Sequence, residues 1–294
     1  MADRKLIELR RGAFELGLCP SFGGAITRFR HAGRDLLRPA GAPMLAGGDP
    51  GSASCFPLVP FSNRIADARF RFQGRTYRLP RNFPPEPHAI HGQGWQNPWE
   101  VGHVGAGRAE LAFRHAVAGT PLDYRARQVF ALEDDGLAVR VEVTNAGGGP
   151  MPAGVGQHAY FMRTDTVTLR ARLGHVWLAD ARKIPERRVP VPPGWDLAKA
   201  PRVAALELDN CFDGWDGRAE LAWPELDLTL RIEAEPLFGH LVVYVPPGED
   251  FFCVEPVSNV NDGFNLFNRG VPGTGVRVLA PGARLAGTIR FRIV

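Results

Sequence analysis

Apolar and polar residues alternate with a period of two along most of this chain, the pattern of strands that bury one face. Lys5-Leu6-Ile7-Glu8-Leu9 and Ala13-Phe14-Glu15-Leu16-Gly17-Leu18 predict a hairpin turning at Arg11-Gly12. Arg69-Phe70-Arg71-Phe72 and Thr76-Tyr77-Arg78-Leu79 predict a second hairpin across Gln73-Gly74. Residues 109–114, 124–132 and 137–143 continue the alternation. In the last of these Val139, Val141 and Val143 share one face, Arg140 and Glu142 take the other, and Asp134-Asp135-Gly136 is the expected turn before them. Further strands are expected at residues 167–172, 176–180, 226–233, 240–245, 251–254, 276–279 and 285–294. No stretch has the 3.6-residue period of a long amphipathic helix, and no internal repeat interrupts the pattern. The Pro-rich residues 189–194 read as a long surface loop. The expectation is one large antiparallel all-β domain over residues 1–294, with few short helices.

Composition agrees with many strands joined by tight turns: Gly and Pro number 34 and 26 in 294 residues. A net charge of +4, from 35 basic and 31 acidic residues, is too dilute to imply a polyanionic partner. The densest basic cluster, Arg182, Lys183, Arg187 and Arg188, reads as a solvated loop, and no basic face with interleaved aromatics points to nucleic acid. Cys19, Cys55, Cys211 and Cys253 are far apart, form no CxxC pair and read as buried free thiols in a reducing compartment. Residues 1–11 lack a signal-peptide core and no apolar run is long enough to span a bilayer, so a cytoplasmic protein without a membrane partner is expected. The sequence is nearly silent on assembly, leaving monomer or homodimer open.

Four segments place polar residues where strand logic does not ask for them. Residues 56–65, Phe-Pro-Leu-Val-Pro-Phe-Ser-Asn-Arg-Ile, form a stiff apolar lead to Asn63 and Arg64. An arginine in such a setting pairs with a carboxylate or anchors a polar ligand. In His88-Ala89-Ile90-His91-Gly92-Gln93-Gly94-Trp95, the glycines allow close backbone approach to a ligand. Trp95 and Trp99 offer flat faces on which a sugar ring can stack. The His-x-x-His spacing raises a metal reading, but no third ligand stands nearby, so no metal is expected. His158, between Gly156-Gln157 and Ala159-Tyr160-Phe161, reads either as a hydrogen-bonded core histidine or as an acid or base. Glu255, after Phe251-Phe252-Cys253-Val254, is expected to end its strand because Pro256 cannot continue the ladder. A carboxylate there would be partly desolvated and sharpened as a base, or else would pair with an arginine such as Arg64.

Taken in order, Asn63-Arg64-Ile65, His91-Gly92, His158-Ala159-Tyr160-Phe161, Asp209-Asn210-Cys211-Phe212, and Glu255-Pro256 with Asp262-Gly263-Phe264-Asn265 resemble the aldose 1-epimerase (galactose mutarotase) family. The resemblance covers most of the chain. It implies a large β-supersandwich with an open sugar cleft, Glu255 as general base and His158 as general acid. Arg64, His91 and Asp209 would then hold a monosaccharide, helped by Asn63 and Trp95. The chain departs from the family pattern at Ala159, Gln93 and Asn259-Val260-Asn261, and none of these removes a proton-transfer group.

The implied reaction opens the hemiacetal. A base takes the anomeric hydroxyl proton while an acid protonates the ring oxygen, and the aldehyde turns and recloses. Such chemistry needs no cofactor. A carboxylate at Glu255 and an imidazolium at His158, about 4–7 Å apart across one cleft, would serve. Three other readings stay open: an epimerase of a hexose 6-phosphate if Arg64, Arg69, Arg71 and Arg81 converge, a glycoside hydrolase using Glu255 and Asp209, and a non-catalytic sugar-binding module.

Overall fold

The computed structural model describes residues 6–46 and 49–294. Lys5, the start of the first predicted strand, lies outside them, and that strand runs Ile7–Arg11. Its turn falls at Gly12-Ala13, one residue later than expected, because Arg11 pairs with Phe14. The Arg69–Phe72 and Arg75–Arg78 strands form the expected second hairpin. Gln73 and Gly74 both have positive φ there, which suits the right-handed twist of the flanking strands.

Two large antiparallel sheets carry the architecture, so the all-β supersandwich expectation holds. An eight-stranded sheet runs, in order, through Glu100–Gly105, Arg108–Ala116, Asp123–Leu132, Gly136–Asn145, Arg284–Ile293, Leu228–Ala234, Arg218–Trp223 and Thr168–Ala171. The eleven-stranded sheet begins with Ile7–Arg11, Phe14–Cys19, Ala25–His31 and Cys55–Leu58, with Arg34–Asp35 attached to the third of these. It continues through Gly156–Met162, Phe251–Val257, His240–Val245, Leu208–Asp213, His175–Ala179 and Pro185–Pro190. Only two α-helices, Ala42–Ala46 and Gly263–Asn268, occur among the described residues.

The facing sides of the sheets make the main core. Phe161 and Phe252 of the larger sheet pack at 5.7 Å between ring centres, and Phe161 meets Phe291 of the smaller sheet at 6.5 Å. Fully burying each such ring contributes roughly 1.5–3 kcal/mol. Within this core Gln157 Nε2 donates to Gln128 Oε1 at 3.0 Å, satisfying two buried amides across the sheets. Strand alternation then sends His158 to the opposite, outer face of the larger sheet. A second apolar cluster, including Phe56, Trp95, Tyr160, Val242 and Cys253, covers that outer face.

Several local expectations are corrected. Glu255 does not end its strand: Phe251–Val257 runs on through Pro256. Pairing toward Gly156–Met162 is open between the Gly156/Val257 and Tyr160/Cys253 pairs, and a gap in a ladder accommodates a residue with no N–H to contribute. Gly136 begins its strand instead of closing a turn, because it pairs with Arg292, and glycine is required there since a Cβ would meet Phe291 O at 1.9 Å. Residues 185–190 form an edge strand, so the loop expected over 189–194 begins only after Pro190, and the strand brings Arg188 onto Asp213 through Nε at 2.6 Å and NH2 at 2.7 Å.

Candidate active site

Four neighbouring strands aim their outward residues into one row. Strand register sets His158 opposite Phe56 on one side, and Glu255 opposite Val242 on the other. Extending the Gly156/Val257 and Tyr160/Cys253 register sets His158 directly opposite Glu255. The geometry agrees: His158 Nε2 lies 3.3 Å from Glu255 Oε1, closer than the sequence expectation, and both point to the same side of the sheet. His158 is 8% exposed and Glu255 2%. The other polar atoms of the pair, His158 Nδ1 and Glu255 Oε2, are buried without hydrogen-bond partners. Buried polar atoms of this kind are rarely left unpaired and are candidates for ligand contact.

Aromatic rings fix the imidazole. Tyr160, two residues along the same strand, stacks on His158 at 4.7 Å and 17°, and Phe56 lies against it at 4.6 Å. The Arg38 guanidinium sits 4.2 Å from the Tyr160 ring centre and donates to the carbonyls of Gly51 and Ala53. Burial, reinforced by Arg38, pushes the His158 pKa down to about 3. Burial, reinforced by Asp209, pushes Glu255 well above the usual carboxylate range, against a smaller opposing pull from Arg64. Each charge alone is thus disfavoured, and the pair holds one proton between its members near neutral pH. A resting carboxylate and imidazolium, expected from the sequence, is not the form that burial favours.

Seven of the sequence-predicted residues reach one pocket of about 270 Å³: Asn63, Arg64, His91, Trp95, His158, Asp209 and Glu255 line it together. His91 has φ +59 and its Nδ1 accepts the Asn63 N–H at 3.1 Å, so its proton sits on Nε2. Burial, His158 and Arg64 hold its pKa well below the ordinary value, leaving a neutral donor. Arg64 does not pair with Glu255; its Nε donates to Glu86 Oε1 at 2.7 Å, and Asn63 Oδ1 accepts its NH1 at 3.3 Å. Asp209 takes an ion pair from Lys183 at 3.1 Å. Trp95 lies at the pocket, its indole N–H donating to the Ile90 and Gly92 carbonyls at 3.2 Å.

The Asp262-Gly263-Phe264-Asn265 motif is a clamp. The Asp262 carboxylate accepts the Ala66 N–H at 3.0 Å, and Asn265 accepts from Arg71 N and donates to Arg69 O. Together these contacts hold the segment that carries Arg64.

Other expectations fail for stated reasons. Trp99 is in the main core, stacked on Phe113 at 5.3 Å, and does not line the pocket. Gly92 and Gly94 make room for protein, not ligand: Cβ atoms there would meet Val59 O at 2.0 Å and Val59 Cγ2 at 2.3 Å. His88 spends Nδ1 on Asp67 N and Nε2 on Arg182 O, so it is no partner for His91 on a metal. Arg69, Arg71 and Arg81 are absent from the pocket lining, so no arginine cluster forms with Arg64. Among the described residues His158, Cys253 and Glu255 bring possible metal-ligand atoms within 4.8 Å of one another. Burial holds the Cys253 thiol protonated, which works against the thiolate a metal requires.

Sequence reasoning missed Phe56, Tyr160 and Tyr244 as pocket residues, and Arg38 and Glu86 as supports. Tyr160 had a usable signal, since period-two alternation puts it on the His158 face. Arg38 and Glu86 lie in loops whose targets have no local signature.

The family model for aldose 1-epimerase matches residues 5–292. The YphB protein of Escherichia coli K12, itself uncharacterised, is 30% identical over 293 residues, 97% of each chain. The crystal structure of a candidate aldose 1-epimerase from Escherichia coli K12 superposes with a TM-score of 0.89 at 30% identity, covering 99% of both chains. A galactose mutarotase-like protein of Clostridium acetobutylicum, 20% identical, shares the fold with a TM-score of 0.87 over 100% of this chain and 96% of its own. This chain belongs to the aldose 1-epimerase family.

Proposed function

We propose that the protein is a mutarotase that interconverts the α and β anomers of a free aldose by general acid/base ring opening. The observation that carries this reading is the facing pair His158 and Glu255, 3.3 Å apart, buried, and each with an unpartnered atom. One proton on the pair is what the chemistry needs. The proton favoured on Glu255 first passes across the 3.3 Å contact to His158. Glu255 then takes the proton from the anomeric hydroxyl as His158 gives its own to the ring oxygen, so the C1–O5 bond breaks and the aldehyde forms. After rotation about C1–C2 the transfers reverse, and the pair recovers its starting proton. Each group contributes roughly 10²–10⁴-fold, and two proton transfers need no cofactor.

Neutral His91, Arg64, Asn63 and Asp209 hold the sugar hydroxyls, and Trp95 backs the pocket. Pairing of Arg64 with Glu86, and of Asp209 with Lys183, fixes these groups before substrate arrives. No helix among the described residues is long and apolar enough to cross a membrane. Four free cysteines support a reducing, cytoplasmic setting.

Polarimetry on freshly dissolved α-anomers tests the reading. Wild type should accelerate the approach to equilibrium, and Glu255→Gln and His158→Ala should each lose most of that acceleration. No acceleration with any free aldose would overturn it.

A further inference from the structure

The pocket is not closed at the end away from His158 and Glu255. Arg64, Asp209 and Tyr244 line it and also line a second, larger groove of about 860 Å³. Sites for drug-sized ligands run roughly 300–1,000 Å³, so the first space suits one sugar ring and the second has room for more. Asp209 and Tyr244 are register partners on adjacent strands, which makes their side chains a shared sill between the two spaces.

The groove is polar, and among the described residues that line it no cation is free. Its two cationic side chains are spent, Arg64 on Glu86 and Lys183 on Asp209. Three carboxylates, Asp180, Glu207 and Asp209, stand against them. A phosphate or other anion is therefore poorly served, whereas neutral hydroxyls find acceptors. Trp195, half-buried on the Pro193–Trp195 turn and edge-on to Phe212 at 6.4 Å, also lines the groove. An indole at a polar wall is a platform for the C–H face of a sugar ring.

We propose that this groove binds a second sugar ring, so the preferred substrate is a reducing disaccharide or longer oligosaccharide. Its reducing ring sits in the pocket with the anomeric carbon at His158 and Glu255, and the glycosidic substituent crosses the sill at Asp209 and Tyr244. This rests on the mutarotase reading for the position of the anomeric carbon.

Saturation-transfer difference NMR with maltose, cellobiose and lactose tests occupancy without needing turnover. At least one of them should show transfer to protons of both rings, and Trp195→Ala should remove it from the non-reducing ring. Transfer confined to the reducing ring, or no binding of any disaccharide, would overturn the proposal. Parallel polarimetry separates the two claims. For the disaccharide that binds, kcat/KM should exceed that of its own reducing monosaccharide by about tenfold, the equivalent of about 1.4 kcal/mol. Trp195→Ala should remove that advantage and leave the monosaccharide rate within about twofold. Equal losses on both sugars would contradict the groove, whereas two-ring saturation transfer without any turnover would sink only the mutarotase reading.

Discussion

His158 and Glu255 stand directly opposite each other on neighbouring antiparallel strands, Nε2 to Oε1 at 3.3 Å, where the ladder between those strands is open. The backbone register that opposes them is fixed by strands paired on both sides, Cys55–Leu58 beside His158 and His240–Val245 beside Glu255. Because the two share one proton, they should act as a unit. Glu255→Gln and His158→Ala should each lower kcat by about 10²–10⁴-fold, and the double variant should be little worse than the poorer single. Multiplying losses in single-turnover kinetics would contradict a shared proton.

Charges around the pair set its working pH. Arg38 opposes protonation of His158, so Arg38→Met should ease proton uptake and move both limbs of the kcat/KM profile to higher pH. Asp209 raises Glu255, so Asp209→Asn should move them to lower pH, whatever it does to KM. Shifts in the same direction for both variants would contradict this arrangement of charge.

Strand alternation made the fold legible because each hairpin is local. The facing pair was not legible in that way, since residues 158 and 255 meet only through the non-local pairing of Gly156–Met162 with Phe251–Val257. Asn63, Arg64, His91, Trp95, His158 and Glu255, which reach one pocket with Asp209, were legible because each lies in a segment that departs from strand logic, which is a local signal, whereas Asp209 was legible only through the family resemblance. Glycines misled: Gly92 and Gly94 looked like ligand contacts, but the close approach is to Val59. Trp99 misled as well, because four residues from Trp95 the chain has turned into the core.

Gly92 pins the His91 loop to the Val59 backbone, and its φ is +70. Gly92→Ala should therefore destabilise the protein by about 2 kcal/mol or more in denaturant unfolding, and raise KM in the molecules that remain folded. Wild-type stability would show that the loop gives way easily.

His240 lies outside the pocket, with Nε2 2.8 Å from Gly273 O and Nδ1 buried without a partner. Burial lowers its pKa below the ordinary 6.5. The unfolded chain therefore takes up a proton that the folded chain resists, and stability falls as pH drops below about 6.5. His240→Gln should flatten the slope of unfolding free energy between that pH and the folded-state value by up to about 1.4 kcal/mol per pH unit. An unchanged slope would mean that His240 is as easily protonated folded as unfolded.

The most direct measurement of the central claim is magnetisation exchange between the α and β anomeric protons of an aldose at equilibrium, followed against enzyme concentration. Wild type should add an exchange rate proportional to its concentration, and Glu255→Gln and His158→Ala, with wild-type circular dichroism, should add almost none. Enzyme-dependent exchange that survives in either variant would contradict the assignment of the two proton carriers.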